Sequence, residues 1–395
     1  MINNLCNPRT ALEGLVPYSG EMPAGKLVLA ANESPFNLPE AVTGQLKDGI
    51  DTFAFNRYPD PLAQTLRAKI AAHNGVDPEN ILIGNGGDEL LLDIMLAWGG
   101  TDATGQSKRR RTMLQFTPTF SMYSIYAQAL ETNIISIARD PKTYNVYTAK
   151  ALHELEDGQI DLCFVDNPSN PSGQMMPKED IHDLLDASDA LVVVDEAYYE
   201  FSGETMLRYL DKHPNMIILR TFSKAYSLAG LRLGYVIAHP RVINMLARVR
   251  MPYSVNAFTQ WVGNLVMDNL DQFNAPVAEI IQQREQLTAR LRDVPGVKAW
   301  SSQANYILFR VNNASCIFEQ LLDSHDIYIR YFKDGPGLEN CLRVTVGTQE
   351  QNDRFIKALH AAVLTVNRQG CDTDHDIEMP STPPSIAPNP PRLTD

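Results

Sequence analysis

The sequence predicts an α/β fold: a mostly parallel central sheet with helices on both faces, plus a smaller α+β domain built from the C-terminal part and an N-terminal segment. Three observations predict it. Short apolar runs at 81–83, 112–116, 160–165, 191–194 and 216–219 alternate with longer helical segments. Strands with so few polar residues are buried on both faces, as in parallel βαβ units. Polar turns at 84–89, 167–173, 195–198 and 221–224 each follow one of these runs. In such sheets ligands bind beyond the carboxyl ends of the strands, so the turns predict one shared site. Beyond residue 270 the pattern becomes strand, helix, then two strands and a helix, which reads as the smaller domain.

Taken in order, residues 1–40 look irregular, with prolines at 8, 17, 23, 35 and 39. A short apolar run at 26–32 ends in Asn32-Glu33-Ser34-Pro35, where Pro35 pushes Ser34 out of the helical region and makes a turn. Residues 40–50 are weakly helical, 56–61 form a rigid Pro-containing turn, and Leu62, Leu66 and Ile70 mark a helix. The strand at 81–83 runs into Gly84-Asn85-Gly86-Gly87-Asp88-Glu89 and a helix over 90–98. That turn reads as either an anion cradle or a plain tight turn. It matches neither G-x-G-x-x-G nor the P-loop. Residues 101–111, ending in Lys108-Arg109-Arg110-Arg111, read as an exposed loop with a charge run. Then come a strand over 112–116, a helix to 130, strands at 133–137 and 160–165, an irregular Pro/Gly loop, a helix over 177–187 and the strand 191–194. A helical pattern covers 240–267, and a long helix 276–293. The last elements are a strand over 306–311, a helix over 317–324, strands at 327–330 and 341–346, and a helix over 349–364. The expected organisation is an N-terminal arm with part of the small domain (1–45), a large domain (46–270), a small domain (271–368) and a disordered proline-rich tail (369–395).

The 395 residues are 44% hydrophobic and 21% charged, enough for a large core. A net charge of -13 argues against nonspecific binding of nucleic acid or anionic membrane. No apolar run is long enough to cross a bilayer. The start, Met1 to Cys6, lacks a basic and an apolar region, so no secretory signal is expected. Five scattered cysteines without a CxxC make disulfide and zinc readings weak, and the expectation is a cytoplasmic chain without a metal.

The chemistry centres on Lys224, which lies with Thr221 and Ser223 between two strand-like runs. Burial lowers a lysine's pKa, and a neutral amine is what a Schiff base with an aldehyde requires. Thr221, Ser223 and Arg232 offer donors to a phosphate, so the three suggest pyridoxal phosphate. Each further candidate has a structural alternative. Asp195, closing an apolar strand, either holds a pyridine nitrogen protonated or caps a helix. Tyr198 and Asn170 either hold the cofactor's phenolic oxygen or serve as a structural tyrosine and an Asx-turn. Phe120 either stacks on the ring or packs in the core.

Asn170-Pro171-Ser172-Gly173, Asp195-Glu196-Ala197-Tyr198 and Ser223-Lys224 with Arg232 together resemble the fold-type-I pyridoxal-phosphate aminotransferases. Asn32-Glu33-Ser34-Pro35, Arg57-Tyr58-Pro59-Asp60, the glycine turn at 84–89, the stretch 221–234 and Leu342 to Thr348 look like the histidinol-phosphate branch of that family. The resemblance spans residues 15–365. It implies Lys224 as covalent anchor and proton shuttle, with Asp195 on the pyridine nitrogen and Asn170 and Tyr198 on the phenolic oxygen. It implies Gly87, Asp88, Thr221, Ser223 and Arg232 on the cofactor phosphate, with Tyr58 reaching the phosphate of the neighbouring subunit of a homodimer. It gives Arg343 to a substrate carboxylate or phosphate, with Arg330, Tyr18 and Asn32 also at the substrate. The substrates implied are an amino-donor phosphate ester, L-histidinol phosphate, and a 2-oxo acid, 2-oxoglutarate. Ser172 and Gly87 depart mildly from the family's usual threonine and serine. Aromatic amino-acid aminotransferases and threonine-phosphate decarboxylases would use the same cofactor residues; Tyr18 and Arg330 discriminate. From another class, a cofactor-binding regulator without turnover is disfavoured by the intact Lys224, Asp195 and Arg343.

Overall fold

The structure, a computed structural model, describes residues 9–12, 15, 23–104, 107–333 and 335–369. Tyr18 and the tail beyond 369 lie outside them.

The strands are β1 (Leu27–Leu29), β2 (Ile81–Gly84), β3 (Thr101–Thr104), β4 (Ser107–Arg110), β5 (Thr112–Thr117), β6 (Asn133–Ala138), β7 (Leu162–Asp166), β8 (Leu191–Asp195), β9 (Met216–Thr221), β10 (Gly234–Ala238), β11 (Val297–Ala299), β12 (Tyr306–Val311), β13 (Ile327–Tyr331) and β14 (Cys341–Thr345). The helices are α1 (Glu40–Gly49), α2 (Gln64–Asn74), α3 (Gly86–Trp98), α4 (Met122–Ala129), α5 (Thr148–Glu156), α6 (Lys178–Asp186), α7 (Tyr199–Ser202), α8 (Pro240–Val249), α9 (Ala257–Asp268), α10 (Asn274–Arg292), α11 (Ala314–Ser324) and α12 (Gln349–Gln369).

Seven strands form the central sheet in the order β2-β10-β9-β8-β7-β5-β6. Only β10 is antiparallel to its neighbours, so the sheet is mostly parallel, as the apolar runs predict. Every residue of β8 and β9 is buried. Each such Val, Leu or Ile contributes about 1.5–3 kcal/mol of transfer free energy. Apolar side chains of the sheet pack into two clusters, one with α3, α4 and α8 and one with α2, α9 and α10. A five-stranded sheet, β1-β13-β14-β12-β11, is the smaller unit. The N-terminal segment joins it because β1 pairs in parallel with β13.

The register brings one end of the central sheet into line. Asp166 pairs with Asp195, Asp195 with Leu219, and Gly234 with both Thr221 and Gly84. The carboxyl ends of β2, β7, β8 and β9 therefore meet where β10 begins, which carries Arg232 to the same edge.

Four expectations are corrected. Residues 101–104 and 107–110 form an antiparallel ribbon, β3–β4, rather than a loop. Its arginines are paired: Arg109 and Arg111 meet Asp161, and Arg110 lies 3.4 Å from Glu131. Opposite charges from other segments turn a charge run into an anchored ribbon. The pattern over 240–267 is two helices, because Pro252 interrupts it. The helix after the glycine turn starts at Gly86, so Gly87 and Asp88 lie in its first turn. Cys316 is disulfide-bonded, against the weak disulfide reading; Cys163 and Cys341 are buried and free. Helix α5 and strand β11 have no counterpart in the elements read from the sequence.

Candidate active site

Lys224 follows β9 and is half-buried. Its Nζ donates to the Ala31 carbonyl at 3.0 Å and sits 5.9 Å from the Tyr198 ring centroid. Burial first, and the nearby Arg343 guanidinium second, lower its pKa to about 8.

Asp195 ends β8 and is 8% exposed. Its donors are both neutral: the Tyr123 hydroxyl at 2.6 Å and the Ala197 N–H at 3.1 Å. Burial pushes its pKa up to about 7. Tyr198, three residues on, is buried, which raises its phenol to about 12. Its hydroxyl accepts from Asn32 Nδ2 at 2.9 Å. One short strap therefore links the groups. Ala30 offers its carbonyl to Arg343 at 2.9 Å, Ala31 to Lys224, and Asn32 to Asn305 Nδ2 at 3.0 Å. Asn32 holds a left-handed φ of 56°, a conformation asparagine tolerates better than most residues. Its N–H donates to Thr345 Oγ1 at 2.9 Å, and its Oδ1 is buried without a hydrogen-bond partner.

The hydroxyls of Thr221 and Ser223 are buried, 2.9 Å apart. Arg232, also left-handed at φ 52°, donates through Nη2 to Asp88 Oδ2 at 2.6 Å. Gly86 and Gly234 make the approach possible. A Cβ on Gly86 would stand 2.7 Å from Arg232 Nη2, and one on Gly234 would stand 2.8 Å from the Gly86 backbone. The N–H groups of α3's first turn, at Gly87 and Asp88, open beside them.

On the small sheet Arg330 pairs directly with Arg343, so both side chains leave the same face. The Phe332 ring lies near both, its centroid 5.9 Å from the Arg330 guanidinium and 5.7 Å from that of Arg343. Arg343 Nη1 also donates to Asn170 Oδ1. Asn170 is held in turn through its N–H by Asp166, which is ion-paired to Arg139 at 2.6 Å.

Two further residues singled out in the sequence make aromatic contacts. Phe120 is half-buried and meets Tyr123 edge-on, with centroids 5.8 Å apart. Tyr58 is 84% exposed and stacks on Tyr253 at 4.8 Å. Sequence reasoning missed Tyr123, Asn305, Thr345 and Phe332. Tyr123 sits in an unremarkable helix, and nothing in its spacing announces a bond to a residue 72 positions away.

A mostly parallel α/β sheet that gathers a half-buried amine, a buried acid and donors of the kind a phosphate takes at its carboxyl edge suits a cofactor enzyme that handles amino compounds. The chain belongs to the aminotransferase class I and II family, whose model matches residues 24–359. Within that family its similarity is to histidinol-phosphate aminotransferases. It is 40% identical over 352 residues to histidinol-phosphate aminotransferase 1 of Carboxydothermus hydrogenoformans, covering 89% of this chain and 97% of that one. It is 37% identical over 361 residues to the enzyme of Caldanaerobacter subterraneus, covering 91% and 99%. In fold it resembles the histidinol-phosphate aminotransferase of Sinorhizobium meliloti in complex with pyridoxal-5′-phosphate, with a TM-score of 0.77 at 23% identity over 86% of this chain and 91% of that one.

The cofactor is pyridoxal 5′-phosphate, and the residues present fit it. Asp195, with neutral donors only, lacks the cationic partner that would keep it ionised at such burial. A hydroxyl pair, a guanidinium and helix-start N–H groups offer hydrogen-bond donors of the kind a phosphate takes. Lys224 carries the softened amine.

Proposed function

We propose that this transaminase moves an amino group between L-histidinol phosphate and 2-oxoglutarate, giving imidazole acetol phosphate and L-glutamate, in histidine biosynthesis. The observation that carries the substrate reading is the Arg330–Arg343 pair on one face of the small sheet, since two guanidiniums suit a carboxylate in one half-reaction and a phosphate in the other. The names of the two relatives compared above support it.

When bound, the cofactor supplies an aldehyde that carries the amino group and a ring that accepts the electron pair released at the α-carbon. Lys224 would anchor the cofactor's aldehyde and, as a free amine, take the α-proton and return it. Its lowered pKa leaves part of the amine neutral near pH 7.5. Asp195 would hold the positive charge of the ring nitrogen, which in return would restore its ionisation. Asn170 and Tyr198 would hold the phenolic oxygen. Thr221, Ser223, Arg232 and the N–H groups of Gly87 and Asp88 would hold the phosphate, with Arg232 giving up its bond to Asp88. Phe120 would pack against the ring. Asn32, Tyr18, Arg330 and Arg343 orient substrate, and Tyr58 reaches the phosphate in the partner of a homodimer. The proposed division is an N-terminal arm with part of the small domain to residue 45, a large domain to 270, a small domain to 368 and a tail. No helix among the described residues is long and apolar enough to cross a membrane, in keeping with a cytoplasmic enzyme.

Arg330→Gln tests the reading. It removes one charged hydrogen-bond donor, worth about 1.5–3 kcal/mol, so KM for histidinol phosphate should rise roughly tenfold or more while KM for glutamate changes little. A panel with phenylalanine and threonine phosphate runs alongside. Wild-type turnover of either in preference to histidinol phosphate would contradict the proposal.

A further inference from the structure

The opposite edge of the central sheet, at the amino ends of β8 and β9, gathers a second set of coordinating side chains. His182 and Asp186 lie four residues apart on one face of α6, with Nδ1 3.2 Å from Oδ2. His213, in the segment entering β9, places Nδ1 3.5 Å from Asp186 Oδ1. One ligand atom from each residue lies within 4.8 Å of the other two. The two imidazole rings stand nearly perpendicular, 4.7 Å apart. His213 is 2% exposed and its Nε2 has no hydrogen-bond partner, so its polar contact is with this corner. The Lys212 ammonium already sits here, against His182 Nε2 and 3.7 Å from Asp186 Oδ2. The corner therefore holds a cation, supplied by an exposed and movable side chain.

We propose that His182, Asp186 and His213 bind a divalent transition-metal ion of the zinc type, with Lys212 as its internal competitor. Two imidazole nitrogens and one carboxylate form a borderline donor set suited to Zn²⁺, Co²⁺ or Ni²⁺, and three protein ligands leave a position for water. Bonds of about 2.0–2.2 Å place tetrahedral donors roughly 3.4 Å apart. Each imidazole lies close to that spacing from one Asp186 oxygen, at 3.2 and 3.5 Å, and the three donors as a set lie within 4.8 Å of one another. Asp186 is half-exposed and opens the route of entry. A bound ion would tie α6 to the strand that leads into Lys224, stabilising the folded chain by mass action.

Calorimetric titration of the purified holoenzyme with ZnCl₂, in buffer without chelator, tests this. Wild type should take up one ion per chain. His182→Ala and Asp186→Asn should each weaken binding by about tenfold or more, Lys212→Ala should tighten it, and transaminase activity should not change in any of them. The absence of stoichiometric uptake by wild type would overturn the proposal. So would equal binding in all variants, which would assign the ion to the cofactor or the bulk surface, or a Lys212→Ala variant that binds no tighter.

Discussion

At residue scale the account rests on how burial moves two ionisable groups toward neutrality. Lys224 falls to about 8 and Asp195 rises to about 7. For Lys224 the sign is clear: the folded chain releases the proton more easily than the unfolded chain does, so the neutral amine gains population as pH rises through about 8. The rate at which the cofactor-free protein captures pyridoxal phosphate should rise with pH and level off above 8.5 to 9. Stopped-flow absorbance between pH 6.5 and 9.5 measures it. A rate still climbing toward the ordinary lysine range would mean that Lys224 is not desolvated. On its own the Ser223-Lys224 pair reads as readily as a surface lysine in a loop; it was the company of Asn170 to Gly173, Asp195 to Tyr198 and Arg232 that singled this residue out in the sequence. Tyr123, the hydroxyl that holds Asp195, was not legible, because its helix offers only the apolar periodicity of a core element.

At the scale of elements, the site depends on how closely β10 approaches the start of α3. Gly234 sits against the Gly86–Gly87 peptide, where a methyl group would meet backbone at 2.8 and 2.9 Å. Backbone cannot swing aside as a side chain can. Gly234→Ala should push back the N–H groups of Gly87 and Asp88 and weaken pyridoxal phosphate binding by roughly tenfold, the loss of about one charged hydrogen bond. Fluorescence titration of the apoprotein checks this, and unchanged affinity would remove α3 from the phosphate site. The sequence exposed the turn at 84–89 as glycine-rich, but left both an anion cradle and a plain tight turn open. The pairing of Gly234 with both Gly84 and Thr221, which brings that turn beside Thr221, is a long-range register that no local window contains. The β3–β4 ribbon went unread for a similar reason. Its partners, Asp161 and Glu131, are distant in the chain, and without them a run of arginines looks like a solvated loop.

For the whole molecule, fold class was the most legible property, since the seven strands of the central sheet and most of its helices leave a local signature. Assembly was the least. Tyr58 and Phe55 are exposed, Tyr58 stacked on the exposed Tyr253 and Phe55 packed with Phe53 and Phe258, aromatic surface of the kind a second copy would cover. If Tyr58 serves the partner's site, mixing Tyr58→Ala with Lys224→Ala protein should give hybrid dimers that carry one intact site. Their activity should exceed the average of the two parents after subunit exchange. Activity equal to that average would mean each site is complete within one chain.

The central claim is that Lys224 is the amine that joins the cofactor and moves the proton. The most direct measurement is the visible absorbance of the purified holoenzyme as L-histidinol phosphate is added, for wild type and for Lys224→Ala. Wild type should show a cofactor band that shifts on addition and returns when 2-oxoglutarate follows. The Lys224→Ala protein should show no such cycle. A variant that cycles like wild type would contradict the account.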